Sequence, residues 1–364
     1  MMASDPRATT AQLDKNLLAV LPKDSEVISV TAGGLSEFCT TYRIEVRLSD
    51  GSAQVFFQKE CKGQYGYDMM QACFTAESTM HKYAPEYTPR PIAVGFYESD
   101  ENMHFFLAEF IEMIEDDIPG PEAYVAALVA LHSRSMAKSP AGNFGFPVPT
   151  RFGDLEQTNK WEDTWEAFWT QQMKEIIDRE ENIRGPYDDK SIRLKEQFFS
   201  KVLPRYLRPL ESNGRSVKPC LVHADLWPGN CKYKLDMETV CIYDASAFWG
   251  HNEGMSPLHR QYLPISTNHM IVDLGVFRNP RYPLGRPYLK EYWKQIPVSE
   301  PEEDADSRNN MYLLRNQILL STLYPSQPNL RELFLANMRQ LVDKVLAEEE
   351  SRGDHQNDRP DRAQ

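Results

Sequence analysis

Leu221-Val222-His223-Ala224-Asp225-Leu226-Trp227-Pro228-Gly229-Asn230, followed by Val240-Cys241-Ile242-Tyr243-Asp244, is the stretch whose reading decides the fold of this chain. Phosphoryl transfer to a hydroxyl needs a carboxylate to orient the nucleophile and take its proton. It also needs oxygen ligands for a divalent ion, and positive charge against the phosphates. Asp225 and Asn230 stand five apart, the spacing at which a phosphoryl-transfer loop carries its base and a metal-binding Asn. Asp244 ends an apolar run, where such a protein places a second metal ligand. Hard oxygen ligands of this kind suit Mg2+, which keeps waters and bridges the phosphates of ATP. His-x-Asp-x4-Asn alone could be a decorated loop. The short strands expected at 221–222 and 241–243, on either side of it, argue for function.

Working outward, Thr31-Ala32-Gly33-Gly34-Leu35-Ser36 precedes a strand over 41–48. Gly33 and Gly34 would let the backbone approach phosphates closely, although a Gly-Gly pair before a strand is more often an ordinary turn. Ser49-Asp50-Gly51 turns the chain into a second strand over 53–59. Lys59 ends that strand, where a kinase places its phosphate-pairing lysine; an exposed strand-end lysine is the plain alternative. A helix over 67–83 and strands over 92–97 and 104–110 follow. After Ile111 the periodicity turns helical, with helices expected over 122–133, 161–182, 190–208, 308–323 and 329–350. Trp161, Trp165, Phe168 and Trp169 recur at helical spacing and read as core rather than as a sugar-stacking face. His132 reads as structural. The pattern predicts an α+β, two-lobed, protein-kinase-like fold. Its small antiparallel β N-lobe with one helix would span 1–110, its larger, mainly helical C-lobe 111–350, and a disordered polar tail 351–364.

The 364 residues suit two domains or lobes. A net charge of -13 disfavours nucleic acid and anionic membrane surfaces as partners. No apolar run reaches 18 residues, and residues 1–11 lack the layout of a secretory signal. The six cysteines fall without CxxC or Cys/His clustering, as in a reducing compartment. The cytoplasm is the expected location.

The quoted loop and the segment IYDASAFWGHNE (242–253) resemble the signature of the fructosamine kinase (ketosamine-3-kinase, protein-ribulosamine 3-kinase) family, in a fungal-type layout. That family's loop reads HGDLWxGN, and its later segment (Y/F)DPxxxYGHxE. The likeness extends to GNFGF (142–146), WEDTWEAFW (161–169), the hinge-like FFLAEFIEM (105–113) and IPVSEPEED (296–304). The resemblance implies a fold like that of aminoglycoside phosphotransferases, with ATP and Mg2+ as cofactors. It implies phosphorylation of the 3-hydroxyl of a ribulosamine or fructosamine on a glycated protein or small glycated amine. The product then decomposes and the glycation is removed. Carried over by position, Asp225 would be the base, His223 would brace the loop, and Asn230 and Asp244 would bind metal. Lys59 would pair with phosphate, while Glu109 and Ile111 of the hinge would contact the nucleotide. Trp227, His251 and Glu253 would stand near the substrate or brace the loop, and the enzyme would be a monomer.

Three departures stand out. Ala224 replaces the family's usual Gly, which costs about 1 kcal/mol if the position needs φ > 0. Cys73 occupies the place of the Glu that normally pairs with the lysine, and Glu77, one turn on, could substitute. About nineteen extra residues, 254–272, interrupt the run from GHNE to residues 273–281, and read as a retained intron or an addition to the substrate pocket. These departures keep two alternatives open: a phosphotransferase of the aminoglycoside or choline kinase type, and a catalytically weak pseudokinase.

Overall fold

The computed structural model describes residues 13–33, 38–252 and 284–357. Gly34, Glu253, the extra residues 254–272 and the end of the expected tail, 358–364, lie outside these. The chain divides into two compact units. One comprises Met1–Met136, Phe146–Asn159 and Leu221–Phe248; the other comprises Ala137–Gly145, Lys160–Cys220 and Trp249–Gln364.

The first unit opens with α1 (Lys15–Val20) and strands β1 (Glu26–Ala32), β2 (Thr40–Arg47) and β3 (Ala53–Lys62). Helix α2 (Gly63–Tyr83), β4 (Pro91–Phe96) and β5 (Met103–Glu109) complete an antiparallel sheet of order β1-β2-β3-β5-β4. The β2–β3 turn works as its sequence demands: Gly51 takes φ +85 and the Asp50 carboxylate accepts from the Ser52 amide at 2.9 Å. Period-two alternation sorts β5 between two cores. Phe105 and Leu107 join Ile44, Val46, Phe56 and Leu17, whereas Phe106 and Ala108 join Met69 and Met70 of α2. Each buried side chain of this size contributes roughly 1.5–3 kcal/mol. α1 was not foreseen. Its cap Asp14 accepts from the Asn16 amide and from the amides of Glu98 and Ser99, all at 2.9 Å, which fastens the helix to the β4–β5 turn.

The same unit continues through β6 (Met113–Ile114), α3 (Pro121–Ser135), the hairpin β7 (Thr150–Phe152) and β8 (Leu155–Gln157), then β9 (Cys220–Val222), β10 (Cys231–Lys234) and β11 (Val240–Ile242). This departs from the boundary expected at 110/111, which put the quoted loop in a helical lobe. The reason is strand pairing. β6 follows the hinge and pairs with β10, which leaves the quoted loop, so a β11-β10-β6 sheet ties that loop to the N-terminal part. The Ile242 amide donates to Tyr87 O at 2.7 Å, and Gly120 N donates to the Tyr233 hydroxyl at 2.9 Å.

In the second unit, α4 (Trp165–Arg184) begins four residues later than expected, because Thr164 caps it by accepting from the Ala167 amide. Trp161 stays outside the helix, while Trp165, Phe168 and Trp169 are fully buried. The Trp165 and Trp169 rings pack with Tyr312, and Phe168 stacks on Trp165, so these three are core as their spacing suggests, whereas Trp161, at 38% exposure, is not. The helix expected over 190–208 breaks into α5 (Asp189–Gln197), a π turn at Phe198–Val202 and α6 (Leu203–Leu207). Pro204 lacks the N–H that a continuous helix would need there. α7 (Arg286–Trp293), α8 (Ala305–Leu323) and α9 (Pro328–Asn357) follow. The reading of a disordered tail from 351 is therefore corrected for 351–357, which prolong α9.

His251 lies in the core of this unit at 2% exposure. Nδ1 meets the Tyr312 hydroxyl at 3.2 Å and Nε2 the Ser299 hydroxyl at 2.7 Å. Burial, with Arg308 adding to it, holds its pKa down at about 3. A base with a depressed folded pKa contributes stability that is present above its unfolded value near 6.5 and is lost as pH falls. Between pH 7.5 and 5 the loss should reach about 2 kcal/mol. Denaturant titrations at both pH values should show His251→Gln losing that much less stability than the parent chain. Equal losses would mean that the imidazole does not stay neutral in the fold.

Candidate active site

β9 is wholly buried and delivers His223 into the interior of the first unit, with no exposed surface. The Asp225 amide donates to His223 Nδ1 at 3.3 Å, so Nε2 carries the proton and donates to Tyr243 O at 3.0 Å. The ring thereby bridges the quoted loop and the segment before Asp244. Ala224 between them takes φ +63 and is fully buried. Asn230 closes the loop. Its Nδ2 donates to Asp225 O at 2.9 Å, to Asp225 Oδ2 at 3.3 Å and to Asp244 O at 3.4 Å. With Nδ2 spent in this way, Oδ1 is the atom Asn230 has to offer a cation. The Trp227 ring lies against Gly229, where a Cβ would stand 2.2 Å from it and push the ring aside. Trp227 itself is 39% exposed.

Lys59, at 13% side-chain exposure, forms an ion pair with Asp244. Burial alone would lower the lysine pKa; the Asp244 carboxylate outweighs it and holds the ammonium charged. In return Asp244, although its surroundings push it up, is held below its ordinary value by Lys59. Glu77 does not take the role expected of it as a substitute partner for the lysine. Its Oε1 instead accepts the amides of Asp244 at 2.7 Å and Ala245 at 3.3 Å, while Oε2 is buried without a hydrogen bond among the described residues. Burial and the nearby Asp244 raise Glu77 to about 7. Cys73 lies beside the lysine, its thiol pushed up to about 12 by burial.

A cleft of about 540 Å3 adjoins these groups, lined by Gly33, Tyr42, Lys59, Glu109, Ile111 and Asp244 among others. Gly33 has a packing reason of its own, because a Cβ there would stand 2.4 Å from Thr41 Oγ1. A smaller cavity of about 70 Å3 shares Lys59, Cys73 and Asp244 with the cleft and adds Asp225, Cys39 and Arg151. Thus Asp225, His223, Asn230, Asp244, Lys59, Glu77, Gly33, Glu109 and Ile111 gather in one unit around two adjoining cavities. His251 lies in the second unit, where its ring is enclosed and both nitrogens are bonded, as a residue that braces its loop would be. Arg151 was missed because it sits in a short hairpin without a motif.

The fructosamine kinase family model matches residues 23–264. A "Probable ketoamine kinase" of Staphylococcus aureus is 26% identical over 250 residues, 66% of this chain and 76% of that protein. A chloroplastic protein-ribulosamine 3-kinase of Oryza sativa subsp. indica is 29% identical over 236 residues, 63% of this chain; the match covers 61% of that protein, less than two thirds of its length. Among solved structures, a "Putative fructosamine-3-kinase" from Haemophilus somnus 129PT superposes with a TM-score of 0.60 at 16% identity. It covers 87% of this chain and 92% of its own, a likeness of fold.

Ala224 now has a determinable cost. Left-handed backbone penalises alanine relative to glycine by about 1 kcal/mol, and losing a fully buried methyl costs about 0.8 kcal/mol. These nearly cancel, so Ala224→Gly should move stability by less than about 1 kcal/mol. Ala224→Val adds a β-branched side chain to filled space at φ +63 and should cost about 3 kcal/mol or more. Urea midpoints test both; a tolerated valine would contradict the geometry.

Proposed function

The chain belongs to the fructosamine kinase family, and from that premise we propose that it is an ATP-dependent kinase acting on the 3-hydroxyl of ketosamines. The acceptor would be a ribulosamine or fructosamine on a glycated protein or small amine, and the phosphorylated adduct would then decompose. The observation that carries this reading is the convergence on Asn230. Its side chain binds Asp225 on one side and the Asp244 backbone on the other, beside a lysine already paired with Asp244.

The residues present fit the cofactors. Among the described residues no group of three or more His, Cys, Asp or Glu could hold a metal unaided. Mg2+ does not require one, since it is usually held by one or two side-chain ligands, waters and phosphate oxygens. Asn230 Oδ1 and the Asp244 carboxylate would hold it, and bound there it would neutralise charge on the β- and γ-phosphates of ATP. Lys59 would move from Asp244 alone to a position shared with the α- and β-phosphates. Gly33, Glu109 and Ile111 line a cleft of the volume expected for a small-molecule cofactor site.

Asp225 would accept a hydrogen bond from the acceptor hydroxyl and take its proton as the hydroxyl oxygen bonds to the γ-phosphorus. The bond from that phosphorus to the bridging oxygen breaks and the electron pair leaves with ADP. His223 holds Asp225 in place through the backbone and touches no reactant. A catalytically weak protein was motivated by Cys73 and by the extra residues 254–272, which lie outside the described residues. The Cys73 motive loses force because Asp244 pairs with Lys59 and Glu77 steadies the Asp244 backbone.

With Mg-ATP and a ribulosamine conjugate, Asp225→Asn should lower turnover at least about 100-fold, the range of general-base losses. ADP affinity, measured calorimetrically, should change little. A parent protein inert toward every ketosamine, or a variant as fast as the parent, would overturn the assignment.

A further inference from the structure

Arg151 lies at the inner end of this site, and no motif accounts for it. The hairpin that carries it is stitched to the Asp244 segment. Thr150 Oγ1 donates to Ser246 O at 3.1 Å, the Ser246 hydroxyl donates to Arg151 O, and Asn159 Nδ2 donates to Thr150 Oγ1 at 2.7 Å. The side chain is held as firmly. Its guanidinium lies over the Tyr65 ring at 4.7 Å, Nη1 donates to Asp154 O at 3.0 Å, and Nη2 donates to Glu156 at 3.1 Å. A guanidinium carries five N–H donors, and these bonds among the described residues use two. At 12% side-chain exposure the remainder have little water, and the carboxylate paired with it among the described residues, Glu156, is itself 40% exposed.

The two cavities divide the charges in an informative way. Lys59, Cys73 and Asp244 line both of them. Asp225 and Arg151 line only the smaller one, and the hinge residues only the larger. About 70 Å3 holds a few waters or a phosphoryl group, and is small for a sugar ring. Lys59 is paired with Asp244 and Arg151 with Glu156, so Arg151 is a second enclosed cation, the one that lines only the cavity holding the base. Planar forked donors match the oxygens of a phosphoryl group better than any other side chain does. In phosphoryl transfer, charge spreads over the three equatorial oxygens, and an arginine supplied by the same chain can stabilise it.

We propose that Arg151 binds the equatorial oxygens of the phosphoryl group as it passes from ATP to the acceptor hydroxyl beside Asp225. Arg151 exchanges no atoms: the proton goes to Asp225 and the leaving electron pair to ADP. The inference rests on the kinase reading above, and is tested so that the two can fail separately.

Arg151→Gln removes the charge, and Arg151→Lys keeps charge and stem but loses the fork. Melting temperatures establish that each variant is folded. Calorimetry then measures the affinity for Mg-ADP with and without fluoroaluminate, a mimic of the transferring group that needs no acceptor. The parent should bind Mg-ADP more tightly with fluoroaluminate. Arg151→Gln should keep its ADP affinity within about threefold and lose most of that tightening, with Arg151→Lys in between. Turnover on a ribulosamine conjugate should fall on the order of 100-fold in Arg151→Gln, as when one preorganised donor is removed, with little change in KM for ATP. A parent whose ADP affinity ignores fluoroaluminate, or a glutamine variant that tightens as the parent does, overturns the proposal. So does an effect confined to the KM of acceptors bearing their own anion. A parent inert toward ketosamines but with the fluoroaluminate pattern intact would sink the acceptor assignment and leave Arg151 in its role.

Discussion

Lys59 and Asp244 are 185 positions apart, and their ion pair is the contact around which the first unit is organised. The lysine projects from the sheet and is largely enclosed, so its charge needs a partner. Exposed ion pairs contribute roughly 0–1 kcal/mol, but removing the partner of an enclosed ammonium leaves an uncompensated charge and costs several times that. Asp244 can meet the lysine only because its backbone is held elsewhere. Glu77 receives its amide, Asn230 bonds its carbonyl, and Tyr243 before it is tied to His223 and to Gly229 O, the latter at 2.6 Å. Helix α2, strand β3, the quoted loop and the segment after β11 therefore meet at one residue, Asp244. Two of the groups proposed to act on ATP are mutually positioned through it.

That arrangement stores strain. Ala224 and Asp244 both lie in the left-handed region, at φ +63 and +61. Asp tolerates this conformation through its short polar side chain; Ala tolerates it less well. Such residues persist only where surrounding bonds over-determine them. Here those bonds are the buried imidazole of His223 and the carboxylate of Glu77. A loop locked in this way presents Asp225 and Asn230 in one geometry before any ligand arrives, which reduces the ordering cost at the moment of reaction. Gly229 lets the Trp227 ring lie against the loop from outside, where a Cβ would push the ring aside.

The parts legible in the sequence were those governed by short-range chemistry. The β2–β3 turn, the alternation in β5, the strands flanking the quoted loop and the Asp225/Asn230 spacing each follow from residues within about ten positions of one another, the reach of local pattern signals. What escaped depends on distant partners. β6 is two residues long and has no strand signal of its own; it exists because β10 lies beside it, and it moves the unit boundary. Glu77 was placed on the correct face of α2, yet its partner, the backbone of Asp244, cannot be read from side-chain complementarity. α1 needed the Asp14 carboxylate to find amides 84 and 85 positions away. Arg151 gave no signal because a three-residue strand carries almost no periodicity.

Net charge and local charge pull in opposite directions here. At -13 the protein as a whole repels a nucleotide, and that repulsion acts at long range, where salt screens it within about 8–10 Å. Binding is decided inside that distance. Lys59 and Arg151 are both withdrawn from water, where each interaction with a phosphate is several times stronger than at the surface. Both have been neutralised only in part by carboxylates, Asp244 and Glu156, which are themselves half exposed and can rearrange. An acidic protein with two enclosed cations beside an accessible carboxylate favours a compact multivalent anion that reaches the cavity. It disfavours an extended polyanion that must lie along the surface. A net charge of -13 is therefore compatible with a nucleoside triphosphate at the cavity, where Lys59 and Arg151 act at short range.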